Sequence, residues 1–239
     1  MAGDRPYDRG ALARIHHEGF GFHADACAPG ILALLEPVKE RGGLVVEVGC
    51  GTGLLTRHLV GAGHRVVATD ASAAMLDIAR SYVPGALDHR LVALPDDPLG
   101  EADAVVSTGH ALSYLPSRER LEEALVACAR ALRPGGVLAL DIEDLTTRDA
   151  QMARSPSGWL GDDWALVIER VSDGPDHFAR VHTSFVREDD GRYLRERERH
   201  DNVLIDVRAV LPPLLEAEGL EVEIRTSFGS ETTMEGLLV

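Results

Sequence analysis

The sequence predicts an α/β chain, with a largely parallel sheet covered by helices, helices ahead of it and a small antiparallel insertion late in the chain. Three observations carry this. From residue 44 to residue 142, apolar runs alternate with amphipathic stretches through short connections, the pattern of repeated β-α-β units. The first run, Val45-Val46-Glu47-Val48, ends in Gly49-Cys50-Gly51-Thr52-Gly53 and passes into an amphipathic stretch, which reads as strand, tight turn, helix. After residue 143, three runs of period two follow one another, separated by turn sequences.

The elements follow in order. Residues 7–40 read as helices, with Leu12, Ile15 and Phe20/Phe22 as an apolar stripe. Pro29 suits the first turn of a helix over 30–39, and Arg41-Gly42-Gly43 stops it. Strand one spans 44–48 and helix one 54–62. Strand two spans 64–69 and ends at Asp70, after which Ser72 caps a helix running to Tyr82. Strand three spans 87–94, and strand four 103–107. Ser117 caps a helix with Leu121, Ala124, Leu125, Cys128 and Leu132 on one side. Arg133-Pro134-Gly135-Gly136 stops that helix, and strand five spans 137–142. Residues 144–161 read as irregular, with one helical turn over 148–153. The meander runs over 164–171, 178–187 and 193–200. A helix over 208–218 must kink or restart at Pro212-Pro213, and the last two strands span 221–227 and 234–239.

Composition narrows the function. The 239 residues are 45% hydrophobic, enough for one large domain with a substantial core. A net charge of −15 disfavours a nucleic-acid partner, because such a surface repels phosphates. No apolar run approaches the roughly 20 residues needed to span a bilayer, so no membrane role is expected. The polar N-terminus lacks an apolar signal core, and a cytoplasmic location is expected. The three cysteines form no CxxC or Cys/His cluster, so no metal is expected. Cys128 reads as core, and Cys50 as a small residue in the glycine loop.

The glycine loop sits where open α/β sheets bind ligands, at the carboxyl end of a strand. A dinucleotide fingerprint needs G-x-G-x-x-G/A, whereas the glycines here are 49, 51 and 53 and residue 54 is leucine. No Gly-Lys-Ser/Thr follows, which excludes a P-loop. Glu47 would repel pyrophosphate but suits an ammonium, such as the methionyl end of S-adenosylmethionine (SAM). Asp70 is placed either to accept hydrogen bonds from ribose hydroxyls or to cap a helix, a task Ser72 already serves. Leu94, with Asp96 and Asp97, follows strand three where an adenine would lie, or forms a plain turn. The run from Ser107 to Leu115, with Thr108, Gly109, His110 and Tyr114, allows close approach to a sulfonium and its methyl.

Together the Glu47–Gly53 loop, Asp70, the 103–114 segment and Leu132-Arg133-Pro134-Gly135-Gly136, correctly ordered, resemble the class I SAM-dependent methyltransferases over nearly the whole chain. The Ile15-His16-His17-Glu18-Gly19-Phe20-Gly21 run and the meander look like a bacterial small-molecule branch, similar to sugar N-methyltransferases and glycine/sarcosine-type enzymes. The resemblance implies a Rossmann-like, seven-stranded sheet of order 3-2-1-4-5-7-6 with strand seven antiparallel. It divides the chain into an N-terminal helical lid (1–42), a SAM-binding core (43–143), a β insertion (144–202) and the completion of the core sheet (203–239). It implies SAM as cofactor, held by Glu47, Gly49, Cys50, Gly51, Gly53, Asp70, Ala71, Leu94, Thr108 and Gly109. The reaction implied is methyl transfer to an N, O or C nucleophile of a small molecule, in secondary metabolism. The rival readings are a non-methylating SAM enzyme of the same fold, catalysing cyclisation or rearrangement, and a non-catalytic SAM-binding module. Monomer and homodimer remain open.

Candidate catalytic and acceptor residues lie outside the loop. Methyl transfer needs a base only where the nucleophile's pKa is too high. His110, after strand four, is the first candidate base or acceptor contact, or else is bonded within its loop. Tyr114 either orients the nucleophile or packs. Tyr7, His17 and Phe20, on the segment that closes over the cofactor in this family, are candidate acceptor contacts, and His16-His17 otherwise form an exposed helix turn. Glu143 either points to the mouth of the sheet and binds an amine, or is a solvated loop acid. Trp159 and Trp164 either wall the pocket or anchor the meander. In Arg195-Glu196-Arg197-Glu198-Arg199-His200, alternation puts the arginines on one face and the acids with His200 on the other, from which His200 could reach the site.

Overall fold

The computed structural model describes residues 6–8, 10–225 and 237–238. Strands β1 (Leu44–Val48), β2 (Arg65–Asp70), β3 (Asp88–Leu91), β4 (Ala102–Ser107) and β5 (Leu132–Ile142) form a parallel sheet of order β3-β2-β1-β4-β5. A second sheet holds β6 (Ser157–Leu160), β7 (Trp164–Ser172), β8 (His177–Arg187) and β9 (Tyr193–Val203), each antiparallel to the next. β10 (Leu237–Leu238) pairs antiparallel with Asp141 and Ile142, on the outer side of β5.

The parallel sheet is sandwiched because its strands are apolar on both sides. On one side lie α2 (Gly21–Glu40) and α3 (Thr56–Gly61), with Ile31, Leu35 and Leu59 packed against Val45, Val66 and Val106. On the other lie α5 (Arg118–Ala131) and α7 (Val207–Glu216), with Leu121, Leu125 and Leu211 against Val46, Val105 and Ile142. Each such fully buried side chain contributes about 1.5–3 kcal/mol. Ser72 caps α4 (Ala73–Tyr82) by accepting from Met75 N–H, and Ser117 caps α5 by accepting from Arg120 N–H, both as the sequence reads. The helix α1 (Gly10–Gly19) packs instead on the insertion, with Leu12 and Ile15 against Trp164, Leu166 and Ile168.

Several expectations need correction. The seven-strand order is not matched: residues 221–225 form no strand, and residues 226–236 and 239 lie outside the described residues, as does most of the expected strand over 234–239. The helix expected from residue 30 begins at Gly21 and runs through Pro29 and Pro37. A proline inside a helix costs about 3 kcal/mol or more. Here Ala24, Cys27, Ala28, Ile31, Leu35 and Val38 recur at helical spacing and are buried, which offsets that loss. The Arg133–Gly136 stretch, read as a stop, is the start of a longer β5, with a register irregularity opposite Ala102 and Ala104. Strand three is shorter than expected, at Asp88–Leu91, and helix one begins at Thr56 because residues 51–55 form a turn. The insertion has a fourth strand, β6, in the stretch read as irregular; the turn α6 (Arg148–Ala153) lies where expected. α7 continues through Pro212 and Pro213, and Asp206 caps it by accepting from Ala209 N–H.

Candidate active site

A cavity of about 730 Å³ opens at the carboxyl ends of β1, β2 and β4, between α1, α2 and the second sheet. The order β3-β2-β1-β4-β5 reverses direction at β1 and β4, and open α/β sheets bind ligands at that point. Of the sequence-derived cofactor residues, Glu47, Gly49, Cys50, Gly51, Asp70, Ala71, Leu94, Thr108 and Gly109 line it.

The loop after β1 is shaped by its neighbours. A Cβ on Gly49, at φ +64°, would stand 2.3 Å from Ala111 Cβ, so only glycine lets the β1 and β4 loops meet. Gly51 N–H donates to Asp70 Oδ2 at 2.8 Å, and Ser72 N–H to Asp70 Oδ1 at 2.8 Å. Burial raises the Asp70 pKa, while these amides pull it back. Gly53 does not line the cavity: at φ +85° it lies under α4, where a Cβ would sit 3.1 Å from Val83. The third glycine therefore serves helix packing. Glu47 is buried, accepts from Thr56 Oγ1 at 2.7 Å, and is pushed by burial up to about 8.

The loop after β4 hangs on Asp141. This fully buried carboxylate accepts from Gly109 N–H and His110 N–H, each at 2.8 Å, and stands 3.2 Å from His23 Nε2. Burial opposes the Asp141 charge, but His110, His23 and the amides together hold its pKa below the usual value. Burial likewise disfavours the His23 cation, yet Asp141 and Cys27 outweigh it and carry the pKa to about 10. The tether fixes His110 in the left-handed region, at φ +57°. Its Nε2 is buried without a partner, and its Nδ1 lies 3.9 Å from Glu143 Oε1.

The remaining predicted residues divide. His110, Tyr114, Tyr7, Phe20 and Trp159 line the cavity. His17 does not; its Nδ1 stands 3.0 Å from Thr52 Oγ1 and its ring packs edge-on against Tyr82. Glu143 does not reach the mouth: it is fully buried, pairs with Arg180, and its own N–H donates to Ser113 Oγ at 3.1 Å. His200 is buried one layer behind the wall, 2.9 Å from Glu198 Oε2, with its ring centroid 4.6 Å from that of Tyr7. The tryptophans split, because Trp164 Nε1 donates to Glu18 Oε2 at 2.7 Å and anchors α1, while Trp159 faces the cavity. Along β9 the arginines are exposed and Glu198 and His200 buried, as alternation predicts. Among the described residues, no group of His, Cys, Asp and Glu side chains could hold a metal ion.

Several lining residues escaped the sequence reading, among them His23, Arg170, Arg180 and His182, while His16, read there as part of an exposed helix turn, also lines the cavity. Burial holds the His16 pKa at about 4 and puts that of His182 well below its ordinary value, so both rings are neutral. Asp141 escaped as well, although an acid at 141 and another at 143, on one side of an otherwise apolar strand, was the available signal.

Residues 45–136 match the methyltransferase domain family. Those residues form a methyltransferase domain, and the chain resembles the class I SAM-dependent methyltransferases. It is 32% identical over 120 residues to an uncharacterized methyltransferase of Oceanobacillus iheyensis, a match covering 49% of this chain and 55% of that one. The match thus spans about half the length of this curated relative. The sugar N-methyltransferase KedS8 from Streptoalloteichus sp. shares the fold, at a TM-score of 0.77 and 22% identity over 100% of this chain and 94% of that one. The protein of the DhpI-SAM-HEP complex is similar at 27% identity and a TM-score of 0.60, over 97% of this chain and 92% of that one. No helix among the described residues is long and apolar enough to cross a membrane.

Proposed function

We propose that this protein transfers a methyl group from SAM to an N, O or C nucleophile of a small biosynthetic molecule by in-line displacement. One observation carries this reading. One cavity is lined both by the 49–51 loop with Asp70 and by His110, whose buried Nε2 has no hydrogen-bond partner. The cofactor end fits SAM. Asp70, braced by the Gly51, Ala71 and Ser72 amides, lines the cavity where it meets a ribose diol, and the Gly49 and Gly51 backbone is open to an aminoacyl group beside Glu47. Leu94 supplies an apolar flank for the adenine, and Asp96 a polar edge. Bound there, SAM supplies a methyl on a sulfonium whose leaving group is neutral.

The chain's own residues then do three things. The β4 loop aligns the acceptor with the methyl, and alignment of this kind contributes much of such a barrier. His110 Nε2 takes the proton of a protonated nucleophile, with Glu143 Oε1 3.9 Å from its Nδ1. The N-terminal helices and the 144–202 insertion exclude water as lid and wall, with Tyr7, Phe20, Trp159 and Tyr114 on the acceptor. We read the protein as cytoplasmic and as a monomer or homodimer, and its net charge of −15 disfavours a nucleic-acid partner.

Calorimetry with S-adenosylhomocysteine and product analysis after incubation with SAM test this. Asp70→Ala should weaken binding by about 1.5–3 kcal/mol, the scale of hydrogen bonds to a charged group. Unchanged affinity removes the ribose assignment, and methylthioadenosine in place of S-adenosylhomocysteine as product removes methyl transfer. His110→Ala should lower turnover by roughly 10²–10⁴ while leaving S-adenosylhomocysteine affinity near wild type. Wild-type turnover would eliminate it as the base.

A further inference from the structure

Three residues of the loop after β4 meet one buried ion pair. Glu143, just beyond β5, is fully buried, and Arg180 of β8 lines the cavity with a side chain only 12% exposed. Glu143 Oε1 and Arg180 Nη2 bond to each other and so join the two sheets. From this pair three contacts reach the loop. Glu143 N–H donates to Ser113 Oγ at 3.1 Å, Arg180 Nη1 donates to the Tyr114 hydroxyl at 3.4 Å, and Glu143 Oε1 stands 3.9 Å from His110 Nδ1. Gln151 Nε2 of α6 donates to Glu143 Oε2 at 3.5 Å, so Oε1 is the oxygen turned to both Arg180 and His110. The guanidinium lies over Phe178, its Cζ 5.0 Å from the ring centroid. Burial opposes the Arg180 charge, but Glu143 and the two tyrosines outweigh it, so the guanidinium stays a cation. His110 therefore lies against two answered charges: Asp141 with His23, and Glu143 with Arg180.

We propose that Glu143 and Arg180 are positioning residues for His110, fixing its ring with the proton on Nδ1 so that Nε2 is the proton acceptor. The role of that nitrogen as a base rests on the methyl-transfer reading; the tautomer does not. A neutral imidazole carries its proton on one nitrogen, and the group beside the ring decides which. A carboxylate oxygen near Nδ1 favours the proton there and leaves Nε2 bare, the arrangement in which a base is oriented by a third group. Arg180 completes the device. Without it Glu143 would be a lone buried carboxylate, which draws a proton onto the nearest base. A ring protonated on both nitrogens takes no proton from a nucleophile. Through Arg180, a residue of the insertion thus sets the state of a group on the parallel sheet.

The test is long-range proton–nitrogen correlation spectroscopy of the full chain with isotope-labelled histidine, at about pH 8.5, above the ordinary imidazole range. The His110 signals are those lost in His110→Gln. Wild type should show the proton on Nδ1 and a bare Nε2, and Arg180→Lys should keep that pattern. Arg180→Met should show protons on both nitrogens. The double variant Glu143→Leu, Arg180→Met removes both charges together and leaves neither unpaired, so it tests the pair even if Arg180→Met does not fold. There the preference for Nδ1 should be lost and the proton should pass to Nε2 in a large fraction of molecules. A wild-type ring with its proton on Nε2, or the wild-type pattern in Arg180→Met or in the double variant, overturns the proposal. Calorimetry with S-adenosylhomocysteine separates the two readings: a wild type that does not bind it overturns methyl transfer and leaves the tautomer result standing.

Discussion

Glu47 shows what a single buried carboxyl does before any ligand arrives. It is 2% exposed, has Thr56 Oγ1 as its hydrogen-bond donor, and is pushed by burial up to about 8. Its folded pKa thus lies above its unfolded value near 4.5. The linkage sign follows: the folded state binds the extra proton, so this group's stability is present at acidic pH and is lost as pH rises from about 4.5 through about 8. Glu47→Gln keeps the Thr56 bond and removes the titration. The variant's melting temperature, without ligand, should therefore gain on wild type between pH 5 and pH 8, while its affinity for S-adenosylhomocysteine falls. A melting difference that stays flat across that range would mean Glu47 is already ionised in the empty site. At this scale the sequence was half legible. The acid before the first glycine could be read from spacing, as could Asp70. His16 and His182 could not, because a neutral imidazole in a wall and a solvated imidazole leave the same letter in the sequence.

Elements show a similar division. The strand-loop-helix after β1 was readable because its glycines and β-branched run are local signals. The β4 loop was not, since its shape depends on Asp141, about 30 residues further on. Asp141→Asn tests that dependence. The amide has one acceptor oxygen for the two N–H groups of Gly109 and His110, and it loses the charge that pairs with His23. Removing one partner of a buried pair costs about 3–5 kcal/mol, and with His23 about a quarter exposed a loss of about 3 kcal/mol is expected by urea unfolding. Turnover should fall further than His110→Ala alone explains if the loop shifts. Gly49→Ala is the matching test from the other side, and its Cβ clash with Ala111 should abolish S-adenosylhomocysteine binding without unfolding the core. The passage of α2 through Pro29 was illegible for a different reason. Local propensity favours a break there, and only packing against the sheet overrides it.

For the whole molecule, the question is how the two sheets come to share one cavity. Alternation along the meander gave its strands and their faces, but period two cannot say which face meets the core. That is why Glu143, Arg180 and His200 lay outside any sequence argument as a connected wall. Their meeting depends on β8 folding back beside the end of β5. The N-terminal segment closes the arrangement. Tyr7 N–H donates to Glu198 Oε2 at 3.1 Å, in the insertion, and the Tyr7 carbonyl accepts from Ser72 Oγ at 2.9 Å, at the cap of α4. Removing both anchors, in a Ser72→Ala, Glu198→Gln double variant, should raise the rate of limited proteolysis near Tyr7 well above that of wild type. Equal rates would mean the ring contacts of Tyr7 with His200, His16 and Tyr114 hold it unaided.

That one residue touches both halves has a kinetic meaning. Ser72 lies two positions from Asp70, and Glu198 sits with His200 in the buried layer behind the acceptor wall. A peptide fastened at both points, with Tyr7 lining the cavity, links the nucleoside end to the surface the second ligand meets. Filling the nucleoside end first and then closing Tyr7 would finish the second compartment, so the two ligands should bind in a compulsory order with positive coupling between them. S-adenosylhomocysteine would then inhibit competitively against SAM and noncompetitively against the acceptor, and it would be the last species to leave.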